Sequence, residues 1–332
     1  MNKRLITCIA AVAAFLIFAF FQTGGNSGKS GKMPTVGILQ LVTHPALDQI
    51  HQGVVDGLKH EGYVNGKTVK IDYQNAQANQ SNLKTMAQNF SNENAALTVG
   101  IATPSVLSLA KVANGQSPVV LAGVTDPVGA ELVKSIKHPG ANITGTSGDS
   151  PLEQHLQVIK EVVPKAKTMG IIYTTSDHGG TYHAKKMAKL AKAAGYKVKL
   201  YTISSTNDMQ QVAQTMASQV DVVYAPQDNS VASAMKTLVA VTNAANVPVI
   251  PAMDTMVKEG GLATYSTSQY DIGYQSGLMA GEILKGKKPA NMPVRSVTKG
   301  VYVVNTAEAE KLGIQLPDSL VQKAQKNGEV FK

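Results

Sequence analysis

Tryptophan is absent from this 332-residue chain, and aromatic residues make up only 5% of it. Any aromatic wall of a binding site therefore has to come from the 11 tyrosines, the 6 phenylalanines or a histidine. Charged residues are scarce too, at 16% against 43% hydrophobic, a balance that excludes disorder and describes a well-cored globular protein. The single cysteine, Cys8, leaves no disulfide framework, and its place inside an apolar run makes it an inert packing residue rather than a redox or metal group. The seven histidines are scattered, with no HExxH or HxxxH pair, so no metal site is expected. Catalytic signatures are missing as well: there is no G-x-S-x-G elbow and no P-loop. Leu41-Val42-Thr43-His44 stands where a dinucleotide-binding G-x-G-x-x-G would follow the first strand. Ser147, Asp149 and His155 have the residue types of a triad, but they crowd one short stretch, and triads are recognised by spatial roles. Neither an enzyme nor a cofactor is expected.

A formal charge of +9 is partly carried by Lys3, Arg4, Lys29 and Lys32, and the surplus over the rest is modest and scattered. It forms no nucleic-acid stripe. The lysines of AKKMAKLAKAAGYKVK, from Ala184, are the solvated face of an amphipathic helix whose apolar side is Met187, Leu190, Ala191 and Ala194. Residues 1–21 read as a targeting segment, with Lys3 and Arg4 ahead of an apolar run and a Gly/Ser/Lys tether over 22–32. FAFFQTGG offers no small-residue cleavage site, and Cys8 lies mid-run rather than after it, which favours an uncleaved anchor over a lipoprotein. The run is short for the roughly 17–25 residues that span a bilayer, which leaves cleavage open. The expected location is extracytoplasmic, anchored at the outer face of the cell membrane.

From residue 33 strand-like and helix-like stretches alternate. Strands are expected at 35–41, 68–73, 97–102, 118–121 and 142–146, with helices at 45–60, 82–90 and 105–113 and a short one from 127. A second series has helices at 152–162, 181–194, 208–218 and 230–244 and strands at 168–173, 197–202, 220–224, 247–251 and 262–265. A helix at 270–285, a strand at 301–304 and a short helix from 306 follow, and whether the long helix packs back on the first half stays open. Such runs of βα units call for α/β architecture: two doubly wound parallel-sheet lobes, a hinge near 147 and a cleft between them. Four strands end in Ser/Thr/Asp/Pro-rich segments that open helices, and ligands of open α/β sheets bind beyond the carboxyl ends of the strands.

The blocks VGILQLVTHPALDQIHQGVVDGLKHEGY, IATPSV, VTDPVGAELVKSIKHPGANITGTS, ISSTNDMQQ, YAPQDNSV and ATYSTSQYDIGYQSGLMAGEILKGKKP resemble the substrate-binding proteins of ABC transporters, of the periplasmic-binding-protein-like I fold. The branch most similar binds tryptophan or other aromatic amino acids. The resemblance runs from about residue 35 to 316. It implies one lobe formed by 33–146 and 267–292 and another by 147–266 and 293–332, with ligand capture by hinge closure. It further implies a monomer that delivers its ligand to a membrane permease served by a separate ATPase. The alternative is an extracytoplasmic sensor or scaffold built on the same fold.

Thr103 and Ser105, which flank Pro104, offer hydroxyls and helix N–H groups to a ligand carboxylate, or else cap their own helix. Thr125 and Asp126 precede Pro127 in the same kind of position. Asp228, with Asn229, is the first candidate for a ligand ammonium, against a capping role, and Asp254 replaces it if Asp228 only caps. Thr43 and His44 end the first strand. Tyr173, like Tyr224 and Tyr265, ends a second-lobe strand where it stacks on an aromatic ligand or packs in the core. Ser147 stands at the hinge.

Overall fold

The computed structural model describes residues 33–332. The anchor and tether expected over 1–32 lie outside the described residues, and among those described no helix is long and apolar enough to cross a membrane. The first half runs β1 (Thr35–Gln40), α1 (Pro45–His60), β2 (Lys70–Asn75), α2 (Gln80–Asn92), β3 (Leu97–Ile101), α3 (Thr103–Ala113), β4 (Val119–Val124) and β5 (Ile143–Ser147). The second continues with α4 (Leu152–Val162), β6 (Thr168–Thr174), α5 (His178–Ala193), β7 (Lys197–Ile203), α6 (Met209–Ala217), β8 (Val222–Ala225), α7 (Asn229–Ser233), α8 (Met235–Ala244) and β9 (Val249–Pro251). Then come α9 (Asp254–Lys258), β10 (Ala263–Thr267), α10 (Gln269–Leu284), β11 (Arg295–Ser296), β12 (Gly300–Asn305), α11 (Thr306–Lys311), α12 (Asp318–Asn327) and β13 (Glu329–Phe331).

Two parallel sheets result, ordered β11-β5-β4-β3-β1-β2 and β7-β6-β8-β9. Their inner strands read as near-continuous apolar runs because helices cover both faces, while the edge strands β2 and β7 are half-exposed. β3 and β8 are buried along their whole length. Each sheet has its own apolar core, one around Ile38, Val99 and Leu121, the other around Ile171, Val223 and Ile250. Two βαβ-wound lobes are the outcome expected from the alternation, with local differences. A third sheet, β10-β12-β13, pairs β10 and β12 antiparallel. The short helix expected from residue 127 is a turn, because the Asp126 carboxylate accepts the Gly129 N–H and Glu131 takes a positive φ. The helix expected at 230–244 breaks at Ala234 into α7 and α8. Arg295 and Ser296 pair with β5, so the chain leaves the first sheet after Ser296 rather than at 292.

The long helix left open by the sequence packs back on the first lobe, against α1. Glycines on both helices make this possible. A Cβ at Gly273 would stand 2.7 Å from the Ile50 carbonyl carbon, and one at Gly277 2.9 Å from the Gly57 Cα. Side chains at Gly53 and Gly57 would likewise meet the α10 backbone, at the nitrogens of Tyr274 and Leu278. Two opposed effects decide what Gly273→Ala does: alanine gains about 1 kcal/mol of helix propensity, while overpacking costs typically about 1–3 kcal/mol and occasionally more. Because the clash is with backbone, the helices must part to relieve it, and the second effect wins. Denaturant unfolding of Gly273→Ala is expected to show a net loss of stability; an unchanged or higher midpoint would refute backbone-to-backbone packing.

Candidate functional site

The carboxyl ends of the two parallel sheets face each other. From the first lobe come Gln40 at the end of β1, Thr43 and His44 after it, Thr103 and Ser105 after β3, and Thr125 and Asp126 after β4. The second contributes Asp177 and His178 after β6, Asp228 and Asn229 after β8, and Asp254 after β9. Direct contacts join the sides. His44 Nε2 lies 3.2 Å from Asn229 Oδ1, His178 Nε2 is 4.0 Å from Asp126 Oδ2, and a Cβ on Gly179 would come within 2.7 Å of Thr125 Oγ1. Ala46, in the first turn of α1, packs into the second lobe's core.

The two faces differ in how their helices begin. α1 and α3 have no side-chain cap, and each carries a proline in its first turn. α5 and α7 are capped by carboxylates, from Asp177 and Asp228. The first lobe thus presents the positive ends of helix dipoles, the second acidic groups. At the head of α3, Ala102 holds φ +73, a strained conformation for a residue with a Cβ, and Ser105 Oγ is fully buried without a partner among the described residues. Gln40 Oε1 and Gln269 Oε1, at the end of β1 and the start of α10, are likewise buried and unpartnered.

Asp228 takes the capping role, the alternative left open for it by the sequence. It is fully buried; Oδ2 accepts the Thr174 N–H at 2.6 Å, and Oδ1 accepts the Thr174 hydroxyl and the N–H groups of Ser230 and Val231, each at 3.0 Å. Burial first, then the neighbouring Asp177 charge, raise its pKa above the usual carboxylate range. Asp228 caps α7 and ties it to β6, with Oδ1 taking three donors and Oδ2 one. Asp254 is tied less tightly: Oδ1 accepts the Ser266 hydroxyl at 3.2 Å, the Thr255 backbone N–H also reaches the carboxyl, and burial raises its pKa. It lines a cavity of about 490 Å³ with Gln49, Ser266, Thr267, Ser268 and Lys299, which does not reach Ser105 or Thr125. Thr43 sits on the exposed rim, accepting from Asn75 Nδ2 at 2.9 Å. Tyr173 is 7% exposed and belongs to the second core. Ser147 meets Ser296 at 2.8 Å, oxygen to oxygen, where two lobe crossings run side by side. Thr103 and Thr125 are buried at their strand ends.

Asp177 was missed in the sequence because Gly179 and Gly180 look like breakers that delay the helix to 181. Both glycines are instead required for contact: a Cβ on Gly180 would lie 2.8 Å from the Asp228 carboxyl carbon. The remaining signal was a polar residue after a strand, the same one that marked Thr125 and Asp228.

These features define a two-lobed α/β protein whose two sets of polar strand ends meet. The family model described as ABC transporter substrate binding protein matches residues 35–327, and the chain belongs to that family. A protein of Clostridioides difficile named Tyrosine-binding protein is 34% identical over 323 residues, 95% of this chain and 93% of its own. A Streptococcus pneumonia ABC domain in complex with L-Trp superposes with a TM-score of 0.87 at 38% identity, over 90% of this chain and all of that one. The ligand-free, open structure of a substrate-binding protein with adhesive properties from Clostridium difficile gives 0.69 at 32% identity, over 90% and 99%.

Behind the second face, His155 is fully buried between Tyr224 and the hinge strand β10. Its Nε2 is 3.0 Å from the Tyr265 carbonyl, which can only accept, so Nε2 donates and Nδ1 accepts the Tyr224 hydroxyl at 2.9 Å. Burial lowers its pKa to about 3. The unfolded chain, with a histidine near 6.5, binds the proton more readily, so this stabilisation is complete above about pH 6.5 and lost as pH falls toward 3. The expected slope from one such group is about 1.4 kcal/mol per pH unit within that window. Unfolding free energies of wild type and His155→Gln between pH 7 and 4 test it: the variant's curve should be flatter by about one proton, and parallel curves would refute a neutral His155.

Proposed function

We propose that this chain captures a free amino acid with an aromatic side chain between its lobes, outside the membrane, and hands it to a membrane permease powered by a separate ATPase. The reading rests on one observation above the others, the end-to-end match at a TM-score of 0.87 to a structure in complex with L-Trp. The relative named for tyrosine binding supports it. The polarity of the cleft agrees. A ligand carboxylate suits the uncapped start of α3 with Ser105 and Thr103, where N–H groups and hydroxyls supply donors, aided by Thr125. The ligand ammonium sits on the same carbon as the carboxylate and so has to find its acceptors beside Ser105, not at Asp254, whose cavity lies apart. The lobes divide near 147, near 267 and after 296, and residues 1–21 hold the assembly to the membrane.

Calorimetric titration of the full chain with L-tryptophan and L-tyrosine, alongside tryptamine and indole-3-propionate, separates the two ends of the ligand. Both amino acids should bind. Ser105→Ala should spare tryptamine and penalise ligands that carry a carboxylate, by about 0.5–1.5 kcal/mol for one net hydrogen bond. Asp254→Asn should leave all four ligands nearly unaffected, because its cavity does not reach Ser105 or Thr125. A selective loss of the two amino acids and tryptamine in Asp254→Asn would give the ammonium to Asp254 instead, and no binding of any amino acid would sink the reading.

A further inference from the structure

The pair His44 and Asn229 satisfies itself across the cleft, and the reason lies behind it. Asn229 Nδ2 donates to Asp177 Oδ2 at 2.8 Å, which fixes the orientation of the amide, since a flipped amide would set its oxygen against a carboxylate oxygen. Asp177 is held in turn by the Gly180 N–H at 3.1 Å and the Asn229 N–H at 3.3 Å. All of these groups belong to the second lobe, so Asn229 Oδ1 is aimed at the first lobe before the lobes meet. The acceptor dictates the rest: His44 Nε2 carries the proton and donates. His44 is 6% exposed, precedes α1 without capping it, and stands two residues before Ala46, which enters the second lobe's core. The second crossing contact, His178 with Asp126, joins the β6 and β4 ends. In the first sheet β1 and β4 flank β3, so the two contacts bracket the start of α3 and Ser105.

We infer that His44 and Asn229, oriented by Asp177, form a clasp that holds the lobes shut, acting on the closing equilibrium rather than on the ligand. The inference rests on the binding role proposed above and changes the part His44 and Asn229 play in it: they are positioning residues. Opening the hinge separates them, because they sit on different lobes, so their hydrogen bond exists only in the closed form. A ligand that needs the closed form binds with an apparent Kd divided by the closed fraction, and any contact that raises this fraction tightens binding without touching the ligand.

The test is a double-mutant cycle with two readouts on the full chain. Spin labels at Lys84 and Lys189, exposed positions on the first and second lobes, in a Cys8→Ser background, report the lobe–lobe distance before any ligand is added. Calorimetry with L-tryptophan reports affinity. His44→Ala and Asn229→Ala are each expected to shift the distance distribution toward longer values and to weaken L-tryptophan roughly three- to tenfold, the range of one net hydrogen bond. The double variant should lose no more than the worse single one. His44→Gln, which keeps an Nε2 donor at similar reach, should recover most of both effects, and it decides the matter if an alanine variant folds poorly. Additive affinity losses with unchanged distances would make the two residues independent ligand contacts and overturn the clasp. The distance measurement needs no ligand, so it still decides if the chain proves not to bind L-tryptophan.

Discussion

Backbone-to-backbone contact between α1 and α10 is the constraint on which the rest of this architecture hangs. α10 follows β10, a strand tied to the second lobe through His155, yet it lies on the first lobe. Gly53, Gly57, Gly273 and Gly277 remove the side chains that would keep two helices at the usual 8–10 Å. The close approach gives the returning segment a fixed seat. From that seat the third crossing, through Arg295 and Ser296 beside β5, is aligned with the first at Ser147.

The hinge then follows from which hydrogen bonds stop where. Past Ser147 the chain is held by the second lobe: Ser150 Oγ donates to Gln227 Oε1 at 2.8 Å, and the Ser150 N–H lies 3.3 Å from His183 Nε2. On β10, Tyr265 and Ser266 are held by His155 and Asp254, and the first-lobe helix begins at Gln269. The links that join the two parallel sheets are therefore short, around Gly148, Ser268 and 297–299, and the uncapped helices of one side stand against the acidic caps of the other.

Much of this was legible in the sequence, and the limits are physical. Alternating apolar runs located the strands of both parallel sheets to within a few residues, because buried parallel strands are continuous and helices are amphipathic. β11 has two residues and β13 three, too short for any period to register. α12 lies in a stretch where apolar residues are sparse, and its periodicity was not recognised. At the site, strand-end position found His44, Thr103, Ser105, Thr125, Asn229 and Asp254 as residues of the facing ends. It could not say where a side chain points. Asp228 and Asp254 follow strands in the same way, yet Thr174 holds one through both oxygens while the other is met by Ser266 from β10. The glycines at 273, 277 and 281 were visible at helical spacing, and only the partner helix explains them.

The order in which the chain crosses between lobes bears on how it is made. The first sheet needs β11, and its face needs α10, so residues 269–296 must exist before the lobe begun at residue 35 can be completed. The β10-β12-β13 sheet waits for residues 329–331. During N-terminal-first synthesis the first lobe therefore cannot be completed until most of the second has been made, and the second waits for β13. The incomplete first sheet has to remain partly unmade for most of the time the chain is growing, with its β5 edge unpaired until residues 295–296 arrive.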